Sequence, residues 1–281
     1  MGVFSSGGVG IDFGSANVTI CLENEGIVLR EPDYVLTLRD DPDEILAVGR
    51  DARQMLGRTP KDCVLAAPVM HGAVTSVELA TQVLKRLSDK ALGKRRGLEK
   101  NRLVVSMSQG NTRVERAALE EAVRTAGAKR AALIRTSVAA ALGAGIPIEE
   151  PRGFMLVLIG GATTEVSVLS MNGVVAARTM RTGSLAFDEA IMRYMRREKK
   201  LIIGQLTAED LKVDLGTCLP DPSLSREKVS LRGRDAISGR PATAEITAED
   251  IHKAILPQVD ILVESMRANR RRAPTSTLSW I

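Results

Sequence analysis

Two short glycine-rich turns are the residues of this sequence best suited to chemistry. The first is Gly14-Ser15-Ala16-Asn17, with Asp12 just before it. The second is Gly160-Gly161-Ala162-Thr163, followed by Thr164. Each sits between an apolar run and an alternating one, in GIDFGSANVTICL from Gly10 and in FMLVLIGGATTEVSVL from Phe154. A small-residue turn between strands can aim several backbone N–H groups into one concavity, which makes an anion nest. Two such turns facing each other would clamp a polyphosphate from both sides. A carboxylate at Asp12 can hold a hydrated Mg²⁺ beside the phosphates. Either turn alone is an ordinary hairpin; the matched pair carries the phosphate reading. Gly8, Gly10 and Gly14 suggest a dinucleotide fingerprint, but the spacing is wrong and the turn returns to a strand instead of opening a helix.

The elements that must position these turns alternate between strand and helix. Apolar residues at helical spacing predict helices near Val77–Leu87 and over Arg113–Ala126, the latter capped by Thr112 or Asn111 and stopped by Gly127. Short apolar strands are expected at Arg102–Met107 and Ala131–Ile134. An Ala-rich buried helix is expected over Ser137–Gly145. The second half repeats the theme. It has the hairpin, helices near Leu185–Arg197 and Thr207–Leu215, polar strands near Glu227–Glu245, and a helix over Ala248–Arg267 that opens with a capping-box-like Thr247-Ala-Glu-Asp250. Such alternation predicts an α/β architecture.

Composition narrows the function classes. With 44% hydrophobic and 26% charged residues among 281, the chain reads as folded and water-facing. Aromatics are only 2%, so stacking platforms for nucleic acid are not expected and no nucleic-acid partner is assigned. The net charge of +5 suggests anionic partners only weakly. Cys21, Cys63 and Cys218 lie far apart, and His71 and His252 do not complete a metal-ligand pattern with them. Reduced thiols, no zinc and a cytoplasmic setting follow. The opening MGVFSSGGVG has no signal-peptide pattern.

At this point the residues resemble those of MreB-type bacterial actin homologues. The resemblance rests on IDFGSANVTICLENEGIVLREP and on AVGRDARQMLGRTP. It continues through VERAALEEAVRTAGA, AAALGAGIPI, IGGATTEVSVLSMNGVV, FDEAIMRYMRR and TAEDLKVDLG. The segments fall in order from about residue 9 to about residue 270. The resemblance implies an actin-like ATPase fold: two ribonuclease-H-like domains around a nucleotide cleft, over residues 1–145 and 146–281. Their small subdomains would lie about 33–74 and 182–247. It implies ATP with Mg²⁺ as ligand. It also implies self-assembly into filaments at the inner face of the membrane, with cell-wall elongation proteins as partners. Residue by residue, Gly14, Ser15, Ala16 and Asn17 match the first phosphate loop, and Gly160, Gly161, Ala162 and Thr163 the second. Glu209 and Lys212 match the adenosine-contacting helix. Their i, i+3 spacing puts both on one helix face, where a solvated ion pair is the alternative reading.

The chain departs from that pattern where catalysis would occur. The family's water-positioning acid is Arg135 here, in Arg135-Thr136-Ser137. The carboxylate that opens its second loop is Leu158. Its Asp-Gly reads His71-Gly72. The family's closing Gly-rich adenosine loop, last strands and last helices are not found, so the second domain is expected to be incomplete. These losses predict weak or absent ATP hydrolysis. A working ATPase or sugar kinase of the same fold, and a decayed remnant that does not polymerise, are the alternatives.

A basic stretch of Lys85, Arg86, Lys90, Lys94, Arg95, Arg96, Lys100 and Arg102, with Leu87, Leu92 and Leu98 interspersed, reads as a solvated loop or as a contact with an anionic membrane surface. Arg270-Arg271-Arg272 offers the same choice.

Overall fold

The computed structural model describes residues 7–93, 97–219, 228–270 and 278–279. The chain divides into two units, Met1–Arg181 with Asn269–Ile281, and Thr182–Ala268. The first unit opens with strands β1 (Gly8–Phe13), β2 (Asn17–Leu22) and β3 (Gly26–Pro32). Then come β4 (Val35–Leu38), β5 (Ile45–Val48), helix α1 (Arg50–Arg53) and β6 (Cys63–Ala66). The paired β7 (Val69–Met70) and β8 (Ala73–Val74) lead into α2 (Val77–Leu92). They are followed by β9 (Arg102–Met107), α3 (Arg113–Thr125), β10 (Ala131–Arg135) and α4 (Thr136–Gly143). The strands β11 (Gly153–Ile159), β12 (Thr164–Ser170) and β13 (Gly173–Met180) end this part of the chain.

Strand order in the first sheet is β10-β9-β1-β2-β3. The meander β1-β2-β3 is antiparallel, while β9 and β10 run parallel to β1. Parallel neighbours need crossover connections, and α2 and α3 are the helices between β8, β9 and β10 in the chain. Alternation decides which face is covered. Val9, Ile11 and Phe13 of β1 and Val18 and Ile20 of β2 are buried, in one core with Leu84 and Leu87 of α2 and Leu119 and Val123 of α3. Both helices begin on caps that the sequence offers. Ser76 Oγ accepts from Leu79 N at 3.1 Å, and Thr112 and Glu115 form a reciprocal capping box.

The second sheet repeats the meander as β11, β12 and β13, with Ala141 of α4 packed in a core with Phe154 and Leu169. Its outer neighbour is β17 (Leu278–Ser279), parallel to β11. A smaller sheet, β5-β4-β6, lies on its own core of Leu36, Ala52 and Cys63. No alternation marks these strands. Ile45-Leu46-Ala47-Val48 is apolar throughout, and periodicity does not assign such a run.

The unit Thr182–Ala268 contains α5 (Ser184–Glu198), β14 (Leu201–Ile202), α6 (Gln205–Leu215), β15 (Val229–Asp235), β16 (Pro241–Ile246) and most of α7 (Ala248–Arg270). Its core is aliphatic, with Ile191, Met195, Leu201, Leu211, Ile246 and Ile251 among its buried members. The expected cap at Thr247 forms: Asp250 N donates to Thr247 Oγ1 and Thr247 N to Asp250 Oδ2. The same carboxylate accepts from Tyr194 OH and lies 2.8 Å from Lys199 Nζ. Burial, and then Asp250, push the Tyr194 hydroxyl up to about 12.

Several boundaries differ from the sequence expectation. Helix α2 runs on to Leu92 and α7 to Arg270. Helix α4 ends at Gly143, and Gly145 takes a φ of +68°, a conformation that closes a helix end. The basic stretch also reads differently in three dimensions. Leu87, Leu92 and Leu98 are buried in the core, while Lys85, Arg86, Lys90, Lys100 and Arg102 are exposed. Lys94, Arg95, Arg96, Arg271 and Arg272 lie outside the described residues.

Candidate functional site

The two glycine-rich turns are built identically. Gly14 N donates to Asn17 O at 3.1 Å, and Gly160 N donates to Thr163 O at 2.8 Å. In both cases the hairpin register leaves four residues outside the ladder pairs Phe13↔Val18 and Ile159↔Thr164. A Cβ on Gly14 would lie 3.2 Å from Asn17 O, and one on Gly160 3.0 Å from Thr163 O, so the same tight bend is met by glycine each time. The turns also meet. A Cβ on Gly161 would fall 2.5 Å from Ala16 Cβ and 3.1 Å from Ala16 N. Ala16 and Gly161 are thus brought together.

A third turn closes on both. His71 and Gly72, between β7 and β8, have φ of 51° and 77°, as a two-residue hairpin of type I′ requires. Gly72 N donates to Ser15 Oγ at 3.1 Å, and Asn111 Nδ2 donates to Gly72 O at 2.9 Å. His71 Nδ1 lies 3.3 Å from Ala162 O, where the Nδ1–H tautomer donates. This turn therefore bridges one glycine turn to the other.

The charged groups follow from strand ends. Asp12, on β1, is exposed, and its Oδ1 accepts from Ser106 Oγ of β9. Arg135 ends β10 and precedes α4; its guanidinium donates to Ser108 O at 3.4 Å. Leu158 lies on β11, paired with Glu165 across the ladder. Glu165 is 4% exposed. Its Oε1 accepts from Ser108 Oγ and from Gln109 N, and its Oε2 is buried with no partner. Sequence reasoning passed over Glu165, Ser106 and Ser108. Strand TEVSVLS mixes polar and apolar residues, so the sequence does not mark Glu165 as buried; the fold does.

Asp33 is the other residue the sequence reading missed. Its backbone N donates to Ala16 O at 3.0 Å, and its Oδ2 accepts from Val69 N at 2.9 Å, tying the first turn to the hairpin that carries His71. It is fully buried and Oδ1 has no partner. Burial pushes its carboxyl up to about 7, against the lowering effect of the Val69 amide.

Glu209 and Lys212 lie in the unit Thr182–Ala268, on α6. Lys212 Nζ is 2.7 Å from the buried Asp188 Oδ1 and donates to Ser184 O, so this lysine serves its own unit's packing.

The sequence and fold have known counterparts. A profile of the MreB/Mbl protein family matches residues 6–279. The chain is 37% identical over 266 residues to the cell shape-determining protein Mbl of Bacillus subtilis (strain 168), covering 95% of this chain and 79% of that protein. It is 35% identical over 283 residues to the cell shape-determining protein MreB of Escherichia coli (strain K12), covering 100% of this chain and 81% of that protein. MreB 5 of Spiroplasma citri bound to AMPPNP superposes with a TM-score of 0.89 at 28% identity, over 98% of this chain and 81% of that one. The MamK double helical filament superposes with a TM-score of 0.75 at 16% identity, over 97% of this chain and 82% of that one, a likeness of fold.

The contact of the two turns predicts that Gly161→Ala lowers the unfolding free energy by about 1–3 kcal/mol, the usual cost of overpacking. Gly143→Ala, where a Cβ meets nothing within 4 Å, should not destabilise. Urea denaturation of both variants makes the comparison, and equal midpoints would remove the contact from the argument. Asp33 predicts a pH dependence. Its folded value of about 7 exceeds its unfolded value near 3.8, so the folded state binds the extra proton. Stability then falls as pH rises through the folded value. Between pH 5 and 8 this one group removes about 2–3 kcal/mol. Unfolding curves at the two pH values should differ by that much less in Asp33→Asn than in the unaltered protein.

Proposed function

The chain belongs to the MreB/Mbl family and has its actin-like α/β fold, and from that premise we propose that it is a cell-shape filament protein that holds a nucleotide but hydrolyses it slowly or not at all. The observation that carries the nucleotide reading is the matched pair of turns, with identical closing bonds, in contact at Ala16 and Gly161. Relatives of this fold have been solved with AMPPNP and with ADP, which supports the same ligand class here. The residues proposed to cradle the phosphates are Gly14, Ser15, Ala16 and Asn17 on one side and Gly160, Gly161, Ala162 and Thr163 on the other. Glu209 and Lys212 are proposed for the adenosine end, with Lys212 shared between the ligand and Asp188.

The slow-hydrolysis reading rests on Arg135 and Leu158. Losing one acid–base group costs about 10²–10⁴-fold in rate, and neither of these side chains can take a proton from water. Effects within one site do not multiply, yet either loss alone suffices. Arg135 remains a good phosphate partner, because its planar fork matches phosphate oxygens, so binding and cleavage separate. The family's self-assembly extends to this chain in the same reading: filaments lie at the cytoplasmic face of the inner membrane, with wall-elongation proteins as partners.

The membrane part rests on charge. The exposed Lys85, Arg86, Lys100 and Arg102 lie within one stretch, its leucines are turned into the core, and Lys90 is 2.6 Å from Glu31. Among the described residues no helix is long and apolar enough to cross a membrane. The proposed contact is electrostatic, worth about 1 kcal/mol per basic residue near an anionic surface.

Phosphate release from Mg-ATP, run beside a nucleotide-binding titration, tests the first claim. Saturable binding with turnover at least about 10²-fold below an active relative is expected. Turnover at that relative's rate would refute the reading, and Arg135→Glu with Leu158→Asp is the gain-of-function control. Ultracentrifugation followed by electron microscopy should find filaments in the pellet; amorphous material would favour the decayed-remnant alternative. Flotation with anionic liposomes should show binding that fades as salt rises past the range where surface charges are screened. Neutralising Lys94, Arg95 and Arg96 together should weaken it, and unchanged flotation would count against the membrane contact.

A further inference from the structure

The turn between β4 and β5 carries charge that its own chain does not neutralise. Arg39-Asp40-Asp41-Pro42-Asp43-Glu44 is exposed throughout. Its shape is set locally: Asp43 N donates to Asp41 Oδ1 at 3.2 Å, and Glu44 N to Asp41 O at 3.1 Å. Arg39 is turned back onto the small sheet, with Nε donating to Lys61 O at 3.0 Å and the guanidinium to Cys63 O at 3.4 Å. Among the described residues no cation forms an ion pair with Asp40, Asp41, Asp43 or Glu44. Like charges this close repel one another, so a cationic surface laid against the turn relieves it. In the middle of the acids stands Pro42, a rigid apolar ring.

A surface of the matching kind lies at an edge of the first sheet. A groove of about 470 Å³ runs between α3 and β10. Its floor is apolar: Val123 and Ala128 are buried, and Leu133 packs on the same core. Arg116, Arg124 and Lys129 are exposed around it. Glu120 and Glu121 are held by two of these, Arg116 at 2.8 Å and Arg124 at 2.5 Å. Exposed pairs of this kind contribute little, so both arginines are free to change partner. Lys129 and the adjoining Arg130 are exposed, and among the described residues neither has an ion pair. Strand β10 ends the sheet order, and Ala131 and Ala132 are exposed on it, so a neighbouring backbone can come close.

The acidic turn and the basic groove belong to opposite edges of one sheet. Strand β10 is the first in its order and β3 the last, and β3 leads through Asp33 and Tyr34 into β4. Four strand spacings, about 19 Å, separate the two edges. Complementary surfaces on opposite sides of a subunit make a heterologous contact, which repeats from copy to copy and builds a filament where it does not close.

We propose that the β4–β5 turn of one copy docks in the α3–β10 groove of the next, with Pro42 on the apolar floor and the carboxylates of Asp40 and Asp43 on Arg124 and Lys129. The proposal rests on the filament reading above and names the two surfaces that join successive subunits. Opposed charges fix the direction and register of such a contact more than its strength.

Two charge-reversed variants of the full chain test it by ultracentrifugation and electron microscopy. Asp40→Lys with Asp43→Lys sets a basic turn against a basic groove. Arg124→Glu with Lys129→Glu sets an acidic turn against an acidic groove. Each variant alone should need at least about tenfold more protein than the unaltered chain to sediment as filaments. Mixed in equal amounts, the two should sediment within about threefold of the unaltered chain, because every turn then meets a groove of opposite sign. Variants that melt cooperatively and sediment alone as the unaltered chain does overturn the proposal. So does a mixture of such folded variants that recovers nothing. If a reversal prevents folding, the milder Asp43→Asn and Lys129→Gln take its place. Each should raise the sedimenting concentration by about threefold, and together they should cost little more than one alone, since they remove a shared contact. Fully additive losses overturn the contact. An unaltered chain that forms no filaments overturns the filament reading itself and this proposal with it.

Discussion

The approach of Gly161 to Ala16 is the constraint on which the site depends. Two hairpins from two sheets can bring backbone against backbone only if one of them carries no side chain at the crossing point, and a Cβ on Gly161 would stand 2.5 Å from that of Ala16. Once that contact is set, the rest of the wall is arranged around it. Asp33 N holds Ala16 O from behind. The type I′ turn at His71-Gly72 takes its place across the two turns, touching Ser15 with one residue and Ala162 with the next. Packed interiors do not deform smoothly, so displacement of one turn must be passed to the others.

The departure at His71 shows how function and geometry separate in such a wall. Both residues of a type I′ turn need positive φ, which Asn, Asp and His tolerate better than most side chains and Gly adopts freely. His71 at φ 51° and Gly72 at φ 77° satisfy that demand as an Asp-Gly pair would. The backbone of the turn is kept, a carboxylate is lost, and a ring nitrogen now reaches Ala162 O. The change alters charge at the site with no penalty in the turn.

The sequence was most legible where local rules and burial agree. The hairpin Gly10–Leu22, strand β9, the Thr112 capping box and the Thr247–Asp250 cap could all be read from residue types at fixed offsets. So could the two glycine turns, because their pairing was visible as a matched pattern. The short strands β4, β5 and β6 were not legible individually, since an apolar run of four residues carries neither period. Glu165 and Asp33 were missed for a different reason. Each lies far in sequence from what it touches, Glu165 from Ser108 and Gln109, Asp33 from Val69. Nothing local to them announces a partner. The leucines of the basic stretch misled for the same reason: only the packing of α2 against the sheet shows that Leu87 and Leu92 face inward.

The β11–β12 ladder gives a physical reason why leucine is accommodated at position 158. Leu158 and Glu165 are direct cross-strand partners, and directly opposed side chains share a face of the sheet. A carboxylate at 158 would place two acids opposite each other, an arrangement that destabilises a sheet, with Glu165 buried and its Oε2 already without a partner. Leucine removes that repulsion. The Arg135 guanidinium is held on Ser108, the residue whose hydroxyl serves Glu165.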